Sequence, residues 1–344
     1  MSIERVFTQQ TRDEEQFLNE LRPRRLDDCV GQDAVKEQVR IAVAAARQRG
    51  EAMDHVLLDG PPGLGKTTFA HVIAAEMGVA IRVTSGPAIT RQGDLMAMLT
   101  QMETRQILFV DEIHRLNKVV EEFLYPAMED FRVDFTSDSG IGGRTVNFSL
   151  PRFTLIGATT RSGLLSSALR GRFGHLWHFR HYGQDELTAI IQRSAKLLDV
   201  QADAVALQRL ALRSRGTPRI ANRLLRRARD YADVRGDGVL TAAVVDEALS
   251  ALEIDQAGLD MLDRQYLLAL IQHYDGGPAG IEAIAATLGY ERDTLEDVVE
   301  PFLLQSGLVT RTPRGRVARP IAYKHLGVKG GPRKGVDLGL FDAE

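Results

Sequence analysis

The chain has 344 residues, of which 44% are hydrophobic and 26% are charged, and its formal net charge at pH 7 is -3. This composition excludes a disordered chain. The small negative charge excludes a protein that coats nucleic acid with a uniformly basic surface, but it is compatible with local basic patches. The one cysteine excludes an internal disulfide, and the lack of a long apolar run or an apolar N-terminal leader predicts a cytoplasmic protein with no membrane span.

The first predicted strand runs directly into a glycine-rich loop and a helix. Residues 55–59 (HVLLD) form an apolar strand, and the following residues, GPPGLGKTTFAHVIAAEMG, take up the period of a helix. The loop matches the pattern G-x-x-x-x-G-K-[ST] at Gly60, Gly65, Lys66 and Thr67, in the strand–loop–helix context that this motif requires. We therefore predict a nucleotide site in which Lys66 contacts the β and γ phosphates and the Thr67 hydroxyl holds a magnesium ion.

Paired carboxylates end a later apolar strand. Strands are predicted at residues 80–85 and 107–116, and in the second of these four apolar residues lead into Asp111 and Glu112. Alone, such a pair is usually a solvated strand end. Downstream of a phosphate-binding loop, Asp111 fits the residue that orders the water shell of magnesium, and Glu112 fits the base that polarises the attacking water. The sequence lacks the guanine-reading pattern N-K-x-D, which argues against a GTPase.

Residues 131–150 (FRVDFTSDSGIGGRTVNFSL) predict a β-hairpin. Apolar residues alternate with polar ones on both sides of a glycine-rich turn: Phe131, Val133, Phe135, Val146, Phe148 and Leu150. An exposed apolar hairpin needs a partner, whereas one that packs on its own domain does not. The sequence leaves both interpretations open.

The strand at residues 153–163 (FTLIGATTRSG) ends in Thr159 and Thr160. In a parallel sheet with the phosphate loop at the carboxyl ends of the strands, a hydroxyl at this point lies beside the γ-phosphate. We predict Thr159 as that sensor, with a simple strand cap as the alternative.

Two arginines, Arg170 and Arg172, lie in the stretch LSSALRGRFGHLWHF, and no acidic residue lies within ten positions of them. A further strand is predicted directly afterwards, at residues 176–179. The absence of an acidic neighbour in the sequence means that these charges are either solvated or meant for an anion elsewhere.

From residue 184 to residue 254 the sequence is all helical, beginning with the acidic first turn that the helix dipole favours. Within it, Pro218 stands near a helix start and Arg219 lies in the first turn. An arginine at that end opposes the helix dipole, and a bound phosphate would reverse the penalty.

Residues 257–329 combine helical segments with two short extended stretches around RTPRGRV, which predicts a winged-helix module. The flexible wing carries basic residues suited to phosphate contacts, and we predict these DNA-binding residues: Arg311, Arg314 and Arg316 in the wing, and Arg292 at the start of the preceding helix. Taken alone, however, a basic loop of this kind is usually solvated, and that interpretation stays open here.

The motifs GPPGLGKT, VDEIHRL, GATTR, LRGRFG and RGTPRIANRLLRR together resemble the AAA+ ATPases and, more narrowly, the RuvB family of Holliday-junction branch-migration motors. The likeness runs from about residue 21 to residue 316. It implies an α/β P-loop large domain with a parallel sheet flanked by helices, an all-α lid domain and a C-terminal winged-helix domain. The expected boundaries are 1–183 for the large domain with its hairpin, 184–254 for the lid, 255–330 for the winged helix and 331–344 for a flexible tail.

The resemblance implies roles for individual residues. Arg172 matches the arginine that completes a neighbouring subunit's site, with Arg170 as the alternative, because this chain has Gly171 where the family usually has an acidic residue. Arg219 resembles the second sensor, which acts within its own subunit. The residues expected at the nucleotide are Leu21, Arg22, Gly63, Gly65, Lys66, Thr67, Thr68, Glu129, Asp130, Phe131, Arg172, Tyr182 and Arg219.

The resemblance also implies ATP, ADP and Mg²⁺ as cofactors, a hexameric ring around duplex DNA, docking of RuvA on the 131–150 hairpin, and RuvC in the same complex. Clamp loaders, protein-remodelling chaperones and origin-binding initiators share the AAA+ core and are the alternatives. The basic wing and the hairpin before the sensor strand favour the junction motor.

Overall fold

The computed structural model describes residues 16–136, 145–329 and 331. The chain divides into two compact units: Met1–Leu198 with Gly216–Asn222, and Asp199–Arg215 with Arg223–Glu344. The tip of the predicted hairpin, residues 137–144, lies outside the described residues, as does the predicted flexible tail apart from residue 331.

The first unit is built on a five-stranded sheet in the order β2-β3-β6-β1-β7, and every neighbouring pair in it is parallel. Its strands are β1 (Val56–Asp59), β2 (Ile81–Ser85), β3 (Ile107–Asp111), β6 (Thr154–Thr159) and β7 (His175–His178). Apart from their last residues, β1 and β3 are buried throughout, and β6 is buried along its whole length. Burial on both faces explains why the sequence shows continuous apolar runs here. The predicted strands are confirmed.

The helices of the first unit are α1 (Asp33–Arg49), α2 (Lys66–Met77), α3 (Gln92–Leu99), α4 (Lys118–Glu129), α5 (Ser167–Arg170) and α6 (Gln184–Leu197), and residues 16–20 are also helical. Helix α1 buries one apolar stripe, Val35, Val39 and Val43, spaced four residues apart as a core-facing helix requires. Helix α4 begins at Asn117, whose side chain accepts a hydrogen bond from the Val120 N–H at 2.9 Å.

The hairpin consists of β4 (Arg132–Thr136) and β5 (Thr145–Ser149), which pair antiparallel with Val133 opposite Phe148. Val133 and Leu150 are buried in the core that covers the sheet. Phe148 stays 39% exposed. The base of the hairpin therefore packs on its own domain, and an apolar side chain is still available on its surface.

The second unit begins with helices α7 (Ala204–Leu212), α8 (Pro218–Arg235) and α9 (Ala242–Ala251), of which the first residues of α8 belong to the first unit. The predicted all-helical segment is confirmed. Helix α7 begins at Asp203, whose carboxylate accepts the Ala206 N–H at 2.6 Å. Among the residues described, no helix combines the length and the apolar character that a membrane crossing needs.

The winged-helix module follows as α10 (Met261–Gln272), α11 (Ile281–Leu288), α12 (Arg292–Thr294), a π-helical turn (Leu295–Val299), α13 (Glu300–Gln305), β8 (Val309–Thr312), β9 (Gly315–Ala318) and α14 (Pro320–Leu326). Strands β8 and β9 pair antiparallel as the wing. Residues 292–305 are helical throughout, and the π-helical turn precedes Pro301, which lacks an N–H and whose ring clashes with the preceding turn of an α-helix. The module has a continuous apolar core of its own.

Candidate nucleotide site and nucleic-acid interface

The phosphate loop joins β1 to α2. Gly63 and Gly65 have φ values of 77° and 95°, a left-handed conformation that glycine adopts without steric cost. A Cβ at Gly63 would also lie 3.2 Å from the Cβ of Arg219. With the first N–H groups of α2 unpaired behind it, such a loop forms a cradle that accepts phosphate oxygens.

Lys66 is buried at the start of α2 and lies across this loop. Its Nζ donates to the carbonyls of Gly60 at 2.6 Å and Pro61 at 2.8 Å. Burial lowers the pKa of Lys66 to about 8, although Asp111 and Asp59 act in the opposite direction. A phosphate that displaced the two carbonyls would give the ammonium group a full counter-charge.

Asp111 and Glu112 lie at the carboxyl end of β3. The Asp111 Oδ1 accepts the Glu112 N–H at 2.9 Å, and Glu112 has a φ of 47°, an uncommon conformation for a residue with a side chain. The Glu112 carboxylate lies 3.0 Å from the Arg115 guanidinium, and both side chains are about half exposed. The predicted catalytic carboxylate is therefore accessible.

The oxygen donors here suit magnesium. The Thr67 hydroxyl and the Asp111 carboxylate are the hard ligands that this ion prefers. Within the described parts of the chain, no group of three or more His, Cys, Asp or Glu residues could hold a metal ion alone. A magnesium ion at this site would therefore need phosphate oxygens as well as the protein.

Thr159 ends β6 beside Asp59 of β1. It is only 1% exposed, its hydroxyl lies 3.0 Å from the His114 Nδ1, and it accepts the Arg161 N–H at 3.0 Å. The next residue, Thr160, is exposed. The hydroxyl that we predict as the γ-phosphate sensor is thus already engaged by its own chain, and Thr160 presents the accessible hydroxyl at this strand end.

Of the other residues expected at the nucleotide, Tyr182 lies beside the phosphate loop. Its hydroxyl donates to the Leu64 carbonyl at 3.1 Å, and its N–H donates to the Gly216 carbonyl at 2.9 Å. Leu21 is buried, and its carbonyl accepts from the Arg193 Nη1 at 2.8 Å, while Arg22 is half-buried. Burial raises the pKa of Tyr182, so its hydroxyl stays protonated.

Arg219 lies at the phosphate loop, where its N–H donates to the Gly63 carbonyl at 3.3 Å. Its side chain is exposed and forms no ion pair with any other residue that the structure describes. The structure thus places Lys66, Asp111 and Arg219 at one end of the sheet.

Arg172 has partners that the sequence did not suggest. Its Nη2 lies 3.2 Å from Glu129 Oε2, its Nη1 donates to the Ala168 carbonyl at 2.7 Å, and its guanidinium lies 4.0 Å from the centre of the Tyr125 ring. Its Nε is buried with no hydrogen-bond partner among the described residues. Arg170, in contrast, is exposed and forms no ion pair with the rest of the described chain.

Residues 129–131, which are expected at the nucleotide, lie at the end of α4, where Glu129 contacts Arg172. Asp130 pairs with Arg132 at 3.2 Å, and the Phe131 ring packs against Phe153 with 5.9 Å between ring centres. Phe131 also lies against His55 and Arg152 and packs against the core of its own domain. Of the three residues, Glu129 therefore shares a surface with the predicted trans-acting arginine.

The wing arginines are mostly paired within the module. Glu300 is fully buried, accepts a hydrogen bond from the Tyr266 hydroxyl at 2.6 Å, and pairs with Arg311 and, at 2.9 Å, with Arg316. Among the described residues, Arg314 is exposed and has no ion-pair partner.

Arg292 is paired as well: Glu282 lies at 2.9 Å and Glu296 at 3.1 Å, and Glu296 also holds Arg316 at 2.8 Å. Sequence reasoning missed Glu300. The only available signal was an acidic residue inside the apolar run VVEPFLL.

Models of known families match the chain in three consecutive segments. The Holliday junction DNA helicase RuvB P-loop domain matches residues 21–179, the RuvB AAA lid domain 182–255, and the RuvB C-terminal winged helix domain 256–327.

Among solved structures, the Thermotoga maritima RuvB Holliday junction branch migration motor is 50% identical, with a TM-score of 0.82, over 90% of this chain and 99% of that one. A point mutant of the same protein matches with a TM-score of 0.84 at the same identity and coverage. The FIGL-1 AAA domain in complex with ADP is 19% identical over 73% of this chain and 91% of its own, with a TM-score of 0.52, a likeness of fold alone.

Proposed function

This chain belongs to the RuvB family of Holliday-junction AAA+ ATPases, and we propose that it works as the motor subunit of a hexameric ring that moves duplex DNA through a junction held by RuvA. The observation that carries the proposal is the combination of a fully matched P-loop motif with a winged-helix module in one chain. In this role the protein serves recombination and DNA repair in the cytoplasm, with RuvC as a further member of the complex.

The site supports ATP hydrolysis by a water molecule. The loop around Gly63 and Gly65 would hold the phosphates, Lys66 would leave its two carbonyl partners to contact them, and Thr67 and Asp111 would hold Mg²⁺. Bound magnesium supplies charge that stabilises the transferring phosphoryl group. The exposed Glu112 carboxylate would orient and polarise the water.

The remaining polar residues have positions consistent with sensing. We propose Thr159 and its exposed neighbour Thr160 as the γ-phosphate sensor, with the Thr160 hydroxyl in contact and the Thr159–His114 hydrogen bond fixing the strand end. Arg219 would contact the phosphates from within the same subunit, because its backbone is already bonded to the loop.

An arginine from the neighbouring subunit completes the proposed site. Arg172 is our assignment, with Arg170 as the alternative. Arg172 would have to leave Glu129 and Tyr125 to reach a phosphate, and the buried, unpaired Nε of its present position favours such a move. Because Glu129 contacts Arg172, and Asp130 and Phe131 follow it directly in the chain, we propose that these three residues meet the same neighbouring nucleotide.

The hairpin and the wing are the proposed contacts with partners. Phe148 gives the hairpin an exposed apolar side chain for RuvA. Of the predicted DNA-binding residues, Arg314 has no ion-pair partner among the described residues, whereas Arg292, Arg311 and Arg316 are already paired with Glu296 or Glu300 and have less charge available to phosphate.

The proposal is tested by mixing two inactive subunits. Arg172→Ala leaves the subunit's own Glu112 intact, and Glu112→Gln leaves its Arg172 intact. If the site is shared, rings of either variant alone are inactive, and mixed rings regain part of the ATPase activity. Mixtures that assemble but stay inactive at every ratio contradict action in trans.

The motor activity itself is tested on a synthetic four-way junction. We expect ATP-dependent branch migration that increases when RuvA is added, with casein unfolding as the control for a protein-remodelling activity. Casein unfolding without branch migration would contradict the proposal.

A further inference from the structure

Arg215 is held by a set of contacts inside the second unit. Its Nε donates to the Gly258 carbonyl at 2.7 Å, and its Nη2 lies 2.8 Å from Asp260 Oδ2 and 2.6 Å from Asp263 Oδ2. Its guanidinium also lies 5.2 Å from the centre of the Phe302 ring. The side chain is only 10% exposed, so little of it is left to water.

All four partners belong to the winged-helix module. Asp260 is the residue at which α10 begins, and its carboxylate accepts the Asp263 N–H at 3.0 Å, while Asp263 accepts the Asp260 N–H at 3.0 Å. Phe302 lies in α13, the helix that leads into the wing. Arg215 is therefore fixed to two helices of the proposed DNA-binding module.

The backbone around Arg215 is tightly fitted as well. Gly258 has a φ of 86°, and a Cβ at this position would lie 2.8 Å from the Arg213 carbonyl oxygen. Arg215 itself has a φ of 53°. The end of the segment after α7 and the first turn of the module are thus in backbone contact, which leaves little room for one to slide on the other.

The residue after Arg215 belongs to the other unit. The Gly216 carbonyl accepts the Tyr182 N–H at 2.9 Å, and three residues further on the Arg219 N–H donates to the Gly63 carbonyl at 3.3 Å. One peptide bond therefore separates a residue held by the DNA-binding module from a segment held by the phosphate loop. Both Arg215 and Gly216 have positive φ values, 53° and 70°.

We propose that Arg215 is a positioning residue that couples the winged-helix module to the nucleotide site. When DNA binds and displaces the winged-helix module, the contacts of Arg215 transmit this displacement to Gly216. The displacement of Gly216 in turn changes the position of Arg219 relative to the phosphates. This inference rests on the proposed function, because it requires DNA at the module and ATP at the loop.

The test compares ATPase rates with and without duplex DNA of random sequence. Arg215→Met removes the guanidinium group that pairs with Asp260 and Asp263. The matched control is Arg213→Met, because Arg213 is 11% exposed and pairs at 3.1 Å with Asp246 of α9, two residues away on the same segment but outside the module. A second variant, Asp260→Asn, keeps a side chain that can cap α10 and removes the partner's charge.

We expect Arg215→Met and Asp260→Asn to keep the ATPase rate without DNA, and the DNA affinity, within about twofold of wild type, and to lose about fivefold or more of the stimulation by DNA. Arg213→Met should keep the stimulation. Melting curves of the variants, taken alongside, show whether each one remains folded.

Full stimulation in folded Arg215→Met and Asp260→Asn overturns the inference, and so does an equal loss in Arg213→Met, which would indicate general loosening of the segment. If DNA does not stimulate the wild-type protein under conditions where it binds, the proposed motor function fails, and the inference fails with it. The wild-type measurement therefore separates the two failures.

Discussion

Two arginines of the nucleotide-binding unit and two of the wing differ in what their charges contact. Arg170 and Arg219 are exposed and form no ion pair with other described residues, whereas Arg311 and Arg316 both pair with the buried Glu300. A buried carboxylate needs counter-charges, and the wing supplies them. A basic residue in a sequence is thus not the same as a positive charge available to phosphate.

The largest expected effect concerns the two arginines of α5 and the turn after it. Arg172→Ala should lower the kcat for ATP by about 10³-fold or more with little change in KM, because the lost charge acts on the transition state in a neighbouring site. Arg170→Ala is the matched variant, and steady-state kinetics at saturating protein concentration compares them. The opposite ranking would move the assignment to Arg170, in keeping with its free charge.

The next effect tests the pairing in the wing. Arg316→Met removes one of the counter-charges of the buried Glu300 and should lower the free energy of unfolding by about 3 kcal/mol. Arg314→Met, at an exposed position in the same wing, should change it by less than about 0.5 kcal/mol. Denaturant unfolding measures both, and equal effects would show that Glu300 does not depend on Arg316.

The sequence predicted the strand ends well and the side-chain pairing poorly. Asp111 and Glu112 could be placed because a buried strand must be apolar and its first polar residues mark its end. The contact of Arg172 with Glu129 could not be predicted, because 43 residues separate them and only the folded chain brings them together. Glu300 was hidden for the same reason.

The choice between Thr159 and Thr160 shows a finer limit of prediction. Both hydroxyls follow the same apolar run, and side chains in a strand alternate between faces, so a shift of one residue changes which hydroxyl is accessible. The structure shows that Thr159 is buried against His114. His114 lies in the motif VDEIHRL, yet its spacing gave no sign of this contact.

A smaller effect distinguishes the buried cation of the phosphate loop from the permanently charged arginines. Burial lowers the pKa of Lys66 to about 8, so the ammonium group is lost as pH rises through that value, and ATP affinity should fall by about fivefold between pH 8 and pH 9. Lys66→Arg stays charged and should show no such decline, although it binds more weakly throughout. Titration with a fluorescent ATP analogue measures this, and a flat profile for the wild type would contradict it.

The smallest expected effect concerns DNA. Arg314→Ala should weaken duplex binding several-fold and reduce the slope of log K against log salt by about one, as the loss of a single phosphate contact requires. Arg292→Ala, at a paired position, should change the slope by less. Fluorescence anisotropy over a salt series measures both slopes, and a larger change for Arg292 would mean that its pairs open when DNA binds.

The claim that a neighbouring subunit completes the nucleotide site is tested most directly by the specific ATPase activity as a function of protein concentration, with the oligomeric state measured in the same samples. The account predicts that activity per subunit rises as rings assemble and that Arg172→Ala stays near its residual rate at every concentration. Full activity in a dilute, monomeric sample, or activity unchanged after both Arg170 and Arg172 are replaced by alanine, would contradict it.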